Sequence, residues 1–180
     1  MNAVKFVMLI WRKPGLTHEA FCDYYEPRHA PPGARPLPPA ADYRRNFPLD
    51  GASAPLGGFD VVTEVWHAGQ LAFERQIAAR QLSPAREQLD ADENAFMNRE
   101  RKIFITLDER RFGVLDAHEG APAVRAKLLP FVRAPVGMSG ETFRMALEAA
   151  VRARAPDTGE LRGYRCNFVT GVSAAGSIAD

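Results

Sequence analysis

The chain begins with a short apolar segment whose two faces are both apolar. Residues 4–11 read Val-Lys-Phe-Val-Met-Leu-Ile-Trp, a β-rich run that predicts a strand. Phe6, Met8 and Ile10 share one face, and Val7, Leu9 and Trp11 share the other. Because a strand that is apolar on both sides must be covered on both sides, we expect helices on one face and further protein on the other.

A helix is predicted to follow this strand and to end near His29. Thr17 is a favourable N-cap residue, and Leu16 with Phe21 fits a hydrophobic staple. Pro31 and the proline after it cannot continue a helix. The pattern therefore predicts a short helix that ends at a histidine.

Residues 41–107 alternate between strand and helix patterns. Strands are predicted at residues 41–47, 59–67 and 103–107, and helices at residues 70–80 and 83–96. The order β-α-β-β-α-β predicts an α+β fold of the ferredoxin-like type. In that fold both helical regions cover one face of the sheet. We expect a second sheet on the other face, as in a dimeric α/β barrel.

The last third of the chain resembles an incomplete second copy of the first part. Residues 126–133, 137–143 and 163–168 repeat the patterns of residues 4–11, 15–21 and 42–47. The sequence therefore predicts a first domain at residues 1–111, a linker at 112–125 and a truncated β-α-β repeat at 126–180.

The truncated repeat lacks two strands, so its predicted strands cannot form a sheet of their own. We expect residues 126–133 and 161–170 to form a two-stranded ribbon that docks on the helix-free face of the first sheet. The incomplete sheet leaves an edge open, and we therefore expect the chain to self-associate as a homodimer.

Charge and motif content exclude several classes of protein. The chain has 23 basic and 22 acidic residues, evenly distributed, which argues against binding to nucleic acid or to an anionic membrane. It has no apolar run long enough to span a membrane and no signal-peptide pattern. Cys22 and Cys166 lie far apart without metal-ligand spacing, which predicts reduced thiols in a cytoplasmic protein. The four histidines have no metal-binding spacing, and glycine-rich nucleotide motifs are absent from the sequence.

Motifs spread over residues 3–111 resemble the EthD family. They are the turn Lys13-Pro14-Gly15-Leu16-Thr17, the helix end His29-Ala30-Pro31, and the segments Tyr43–Phe47, Phe59–Trp66 and Asp92–Phe96. The resemblance implies a dimeric α/β barrel around a small-molecule pocket. Two departures concern the helix end, where Pro27 precedes His29 and Pro32 replaces a usual apolar residue.

The resemblance also implies a function in the oxidative catabolism of small organic molecules. It leaves two alternatives open: a redox-neutral, cofactor-free dehydratase, cyclase or decarboxylase, and a non-catalytic small-molecule-binding accessory protein. No cofactor is expected, with haem binding as a further alternative. The substrate cannot be inferred from these residues.

Two candidate catalytic residues follow from the resemblance and the strand pattern. His29 is expected to donate or accept a proton, since a helix C-terminus favours a protonated imidazole; capping of the helix end is the alternative. Glu64 and Asp60 are expected to point away from the helices and into the barrel, where an acid must be paired or must face a pocket. The alternative for Glu64 is an ion pair, with Arg44 as a candidate partner.

Four further residues are candidate linings of the pocket. They are Trp11, Tyr43, Asn46 and Trp66. Packing in the core is the alternative for the three aromatic residues.

Overall fold

The computed structural model describes residues 4–29, 38–49, 51–54, 57–82, 86–113, 129–154 and 163–174. The chain divides into two compact units. One unit comprises Met1–Leu107 together with Val169–Asp180, and the other comprises Asp108–Phe168. No helix in the described ranges is long and apolar enough to cross a membrane.

The elements up to residue 113 follow the predicted order. They are β1 (Val4–Ile10), α1 (His18–Tyr24), β2 (Asp42–Asn46), β3 (Val61–His67), α2 (Gln70–Leu82), α3 (Arg86–Phe96) and β4 (Ile103–Gly113). The later elements are α4 (Gly140–Arg154) and β5 (Gly163–Ala174). The strands form one sheet in the order β2-β3-β1-β4-β5. Since β1 pairs antiparallel with both β3 and β4, the first four strands have the ferredoxin-like α+β arrangement, which confirms the predicted fold class.

Helix α1 begins as its sequence predicts and ends in a wider turn. The Thr17 hydroxyl accepts a hydrogen bond from the amide of Ala20 at 3.1 Å, which satisfies one of the free amides of the first turn. Residues Tyr25–His29 then form a π-helical turn. Pro27 lies inside this turn, where it cannot donate an α-helical hydrogen bond. The turn brings His29 to the end of the helical segment.

The hydrophobic core lies between the sheet and the helices. Its buried members are Ile10, Phe21, Tyr25, Val61, Phe96 and Met97. They come from β1, α1, β3 and the end of α3, so the core fixes the position of both helical regions on one face of the sheet. The predicted sidedness of β1 and β3 is therefore confirmed.

The part of the opposite face that β1 and β3 form is also buried within a single chain. Val7, Leu9, Val62 and Trp66 are almost fully inaccessible to solvent there. This burial confirms the prediction that protein covers the helix-free face, which an apolar surface of this kind requires.

The predicted ribbon of the second repeat is wrong. The described part of its first strand, residues 129–133, is not a strand, and its second strand, β5, extends the sheet beside β4. Pairing at the edge of an existing sheet satisfies the backbone hydrogen bonds of β5 directly. In the predicted first strand, Pro130 has no backbone N–H to donate to a neighbouring strand. Residues 126–128, 161 and 162 lie outside the described ranges.

The other predictions for the second repeat concern the start of its helix and the domain boundaries. Helix α4 starts as expected, since the Ser139 hydroxyl accepts from the amide of Thr142 at 3.1 Å. Strand β4 runs through the predicted domain boundary at Arg111. Most of the predicted linker lies outside the described residues, so the division into 1–111, 112–125 and 126–180 stays a prediction.

Candidate active site

A cavity of about 530 Å³ lies on the helix-covered side of the sheet. Phe6 and Met8 of β1 and Phe104 of β4 line it from the sheet, and Phe73 and Ile77 line it from α2. The lining is mostly apolar because these positions face the core on alternate residues of each strand. A cavity of this size fits a small organic molecule.

His29 lies at the wall of this cavity and is held by a carboxylate. Its Nδ1 atom is 2.5 Å from Oδ2 of Asp92. The imidazole packs on the rings of Tyr25 and Phe96, with centroid distances of 5.3 and 4.7 Å. Tyr24 donates a hydrogen bond of 2.8 Å to the other oxygen of Asp92. The ring and its carboxylate partner are therefore fixed from several directions.

The contact with Asp92 determines which nitrogen of His29 can react. A carboxylate bonded to Nδ1 favours the tautomer with the proton on that nitrogen. Nε2 is then the basic atom of the neutral ring. No other hydrogen bond to His29 is found among the described residues. The arrangement can therefore accept a proton at Nε2 and return it, as a general base and acid.

Tyr43 also reaches the cavity, and it belongs to a short chain of hydroxyl groups. Its hydroxyl is 3.1 Å from that of Tyr25, which is 2.8 Å from the hydroxyl of Thr63. Burial raises the pKa of Tyr43, and it raises the pKa of Tyr25 well above the ordinary value. Both phenols therefore stay protonated at neutral pH.

A cluster of charged side chains forms another part of the cavity wall. Lys102 lies 3.2 and 3.1 Å from the two carboxylate oxygens of Glu93. Arg80 donates to the same carboxylate at 2.5 Å, and Arg99 lies 3.5 Å from it. Lys102, Glu93 and Arg80 all line the cavity, so an otherwise apolar chamber has one strongly polar end.

Glu64 and Asn46 lie on the opposite side of the sheet from His29. Glu64 accepts hydrogen bonds from Lys5 at 2.7 Å and from Asn46 at 2.9 Å. The Lys5 amino group lies 4.5 Å from the ring centroid of Trp66. Glu64 thus points away from the helices, as expected, and has a buried ion-pair partner on β1. The sequence predicted a pocket on the helix-free side, next to Glu64. The described cavity, however, lies on the helix side of the sheet.

Asp60 and Trp11 occupy a third location. Asp60 accepts hydrogen bonds from the backbone amide and the guanidinium of Arg12, at 2.7 and 2.5 Å. Trp11 donates to the carbonyl of Gly57 at 2.7 Å, and Arg101 lies over its ring at 4.8 Å. Of the predicted site residues, the structure brings only His29 and Tyr43 to the cavity.

Sequence reasoning missed Asp92, Glu93, Arg80 and Lys102. Asp92 and Glu93 lie within a motif of the EthD resemblance, but nothing in the sequence pattern indicated that both carboxylates would be bound by residues of other elements. Lys102 had no signal, since lysine is rarely buried. In the described ranges, no group of three or more His, Cys, Asp or Glu residues is arranged to hold a metal ion.

Comparison with known proteins finds one matching domain family and several similar solved structures. The EthD domain model matches residues 13–100. A crystal structure of an ethyl tert-butyl ether D (EthD) family protein from Bacillus halodurans aligns with a TM-score of 0.38 and 18% identity, over 53% of this chain and 87% of that chain. A dimeric ferredoxin-like protein of unknown function from Thermobifida fusca aligns with a TM-score of 0.36 and 15% identity, over 58% and 88%. No curated protein sequence matches the chain. Residues 13–100 of this chain, just under half of its length, match the EthD domain.

Proposed function

We propose that the chain is a small-molecule enzyme in which His29 transfers a proton to or from an organic molecule bound in the cavity. The observation that carries the proposal is the pair of His29 and Asp92, 2.5 Å apart at the wall of a mostly apolar chamber. Asp92 holds the imidazole by Nδ1, so that Nε2 can exchange the proton. Glu64 takes no part in this step, because it lies on the opposite side of the sheet.

The surroundings of His29 support proton transfer. A mostly apolar lining lowers the local dielectric constant, which strengthens the interaction between a base and the proton that it removes. The rings of Tyr25 and Phe96 restrict the rotation of the imidazole. A positioned general base contributes ~10²- to 10⁴-fold to a rate. These features fit the removal of a proton from an activated carbon atom.

The reaction class follows from this chemistry together with the family. Proton transfer at carbon serves redox-neutral dehydration, cyclisation or decarboxylation. It also serves an oxidative sequence, which the EthD resemblance favours. Cys22 and Cys166 are free thiols, which fits our proposal of a cytoplasmic enzyme.

The proposal can be tested with a probe that does not depend on the natural substrate. A base that removes the ring C–H proton of 5-nitrobenzisoxazole breaks its N–O bond and yields a coloured cyanophenolate. We expect the full chain to accelerate this reaction and His29→Gln to lower the rate by ~10²-fold or more. His18→Gln is the matched control, since His18 lies with Asp60 and away from the cavity.

Circular dichroism and thermal unfolding must show that both variants fold. If His29→Gln keeps the wild-type rate, His29 only closes the end of its helix. A wild-type chain that binds a neutral apolar dye in the cavity, yet leaves the probe reaction unchanged, would instead support the non-catalytic binding alternative.

A further inference from the structure

The charged end of the cavity contains more positive than negative groups. Three charged side chains line the cavity there: Arg80, Lys102 and Glu93. Arg99 adds a third cation to the Glu93 carboxylate, although it also pairs with Asp90 at 2.9 Å. One carboxylate is thus shared by three cations, and the cavity wall carries an excess of positive charge.

Lys102 and Glu93, at the centre of this cluster, are shielded from water. Only 5% of Lys102 and 2% of Glu93 is exposed to solvent. Burial of charge in this way costs free energy unless charges of the opposite sign balance it. Water and salt would screen the same charges at the surface. Buried charges depend instead on neighbouring groups of the protein for their stabilisation.

Hydrogen-bond donors also remain at this end of the cavity. Lys102 has three N–H donors, and Glu93 is its only acceptor among the described residues. Its amino group also lies 4.8 Å from the ring centroid of Phe104. The ring has no lone pair that could accept a conventional hydrogen bond. Arg80 has five donors, and the bond to Glu93 uses one of them.

The titration behaviour of the cluster agrees with this charge count. Burial lowers the pKa of Lys102 to about 8, the attraction of Glu93 opposes this change, and Arg80 and Arg99 reinforce it. Burial alone would raise the pKa of Glu93, but Lys102 and Arg80 bring it below the usual value. The lowered pKa of Glu93 thus reflects the positive charge around it, whereas the lowered pKa of Lys102 is mainly an effect of burial.

We propose that the cavity binds an apolar molecule carrying one anionic oxygen group, a carboxylate or a phenolate, and that Lys102 and Arg80 hold that group. The rest of the ligand lies against Phe6, Met8 and Phe73. The inference rests on the proposed function only in taking the same cavity as the ligand site. It adds the class of ligand that the cavity accepts.

A purely structural role is the competing explanation for the cluster. Glu93 lies on α3, Arg80 on α2, and Lys102 directly before β4, so the contacts also join these three elements. A structural role predicts that the ion cluster affects stability without distinguishing charged ligands from neutral ones. The two explanations therefore differ in a binding measurement.

The test compares two ligands of nearly the same shape, 2-naphthoate and its neutral amide, 2-naphthamide. Isothermal titration of the full chain gives the dissociation constant of each. Because a hydrogen bond to a charged group stabilises a complex more than a neutral one, we expect naphthoate to bind ~10-fold more tightly or better. Equal affinities for the two probes would overturn the inference.

Variants assign the preference to the cluster. Arg80→Met and Lys102→Met should each reduce the preference for naphthoate over naphthamide several-fold. Arg86→Met and Lys13→Met remove the same charges from exposed positions and should leave the preference unchanged. If Lys102→Met fails to fold, Arg80→Met decides, since the side chain of Arg80 is 31% exposed and its loss leaves Lys102 paired with Glu93. A preference unchanged in Arg80→Met, or lost equally in the controls, would contradict the proposal.

The outcome is separable from that of the proton-transfer proposal. His29→Gln should still prefer naphthoate, because the anion site does not use that ring. Suppose that naphthoate is preferred but His29→Gln leaves the rate on 5-nitrobenzisoxazole unchanged. This result would refute the catalytic proposal and leave the anion site intact. Failure of both naphthalene probes to bind would overturn the anion site and, with it, the ligand role of the cavity.

Discussion

The role of single residues depends here on partners that are distant in sequence. His29 and Asp92 are 63 residues apart, and Lys102 is buried against a carboxylate from another element. The EthD resemblance points to His29 as a candidate, because its motif ends a helix at a recognisable position. It does not identify Asp92 as the partner, since the pairing of two side chains depends on how α1 and α3 pack. Sequence pattern alone also cannot predict a buried lysine, because lysine normally stays in water.

Asp92 is predicted to act by holding the imidazole of His29. Asp92→Asn keeps the shape of the side chain but can present an N–H to Nδ1, which would favour the tautomer with the wrong nitrogen protonated. We expect the rate on 5-nitrobenzisoxazole to fall by about 10²-fold. Nitrogen-15 chemical shifts of the imidazole should report the change of tautomer.

Tyr24→Phe is the control for this substitution. It removes the hydrogen bond of 2.8 Å to the other oxygen of Asp92 but leaves the carboxylate in place. Its effect on the rate should be much smaller. A rate in Asp92→Asn equal to the wild-type rate would show that the carboxylate does not position the base.

Patterns along the chain predict individual elements better than their pairing. Alternating apolar residues predicted β1, β3 and the faces that they present, and a capping threonine predicted the start of α1. The longer extent of β4 and the position of β5 were not predicted, because backbone pairing at a sheet edge depends on which strand is available there. A pocket was expected on the helix-free face, since the acids Asp60 and Glu64 suggested a wet interior. Arg12 and Lys5 compensate these acids, and the described cavity lies on the helix side of the sheet.

The carboxylate of Glu93 should stabilise the junction of α2, α3 and β4. Glu93→Gln leaves Lys102 buried without its charge partner and should lower the free energy of unfolding at pH 7 by about 3 kcal/mol. The pKa of Glu93 is lower in the folded chain, so its contribution is present above the unfolded pKa of ~4.3 and is lost as the pH falls through the folded value. Urea unfolding at several pH values measures this.

The pH dependence distinguishes this mechanism from a loss of packing. The difference between the wild type and Glu93→Gln should shrink in acid, because the wild-type carboxyl then becomes neutral as well. Glu87→Gln, at an exposed position of the same helix, should unfold like the wild type. A difference that stays constant from pH 7 to pH 3 would argue against a charge-based contribution.

At the scale of the whole molecule, the sheet has both faces buried at its central strands β1 and β3 and ends at two edge strands. Among the described residues, β2 and β5 are the outer strands of the sheet. The helix-free face is buried within one chain at β1 and β3. The edge at β5 is a candidate surface for the predicted homodimer because Val169 is 59% exposed there.

We expect the full chain to form homodimers, detected as twice the chain mass by light scattering. Val169→Lys should shift the equilibrium towards the monomer, since an inserted charge opposes pairing between edges. Val132→Lys is the control, because Val132 is equally exposed but lies outside any strand. A stable monomer at all concentrations would refute self-association, and an equal effect of both substitutions would refute the β5 edge.

The π-helical turn at Tyr25–His29 makes the position of the histidine depend on the length of the chain. Such a turn holds one residue more than an α-helical turn, since its hydrogen bonds span five residues. Deleting one residue from it would rotate His29 by about 100° around the helix axis. The cavity would then lose its imidazole although the histidine is still in the sequence. In this chain, the presence of the side chain at the cavity therefore depends on a single codon in the turn as well as on the codon for His29 itself.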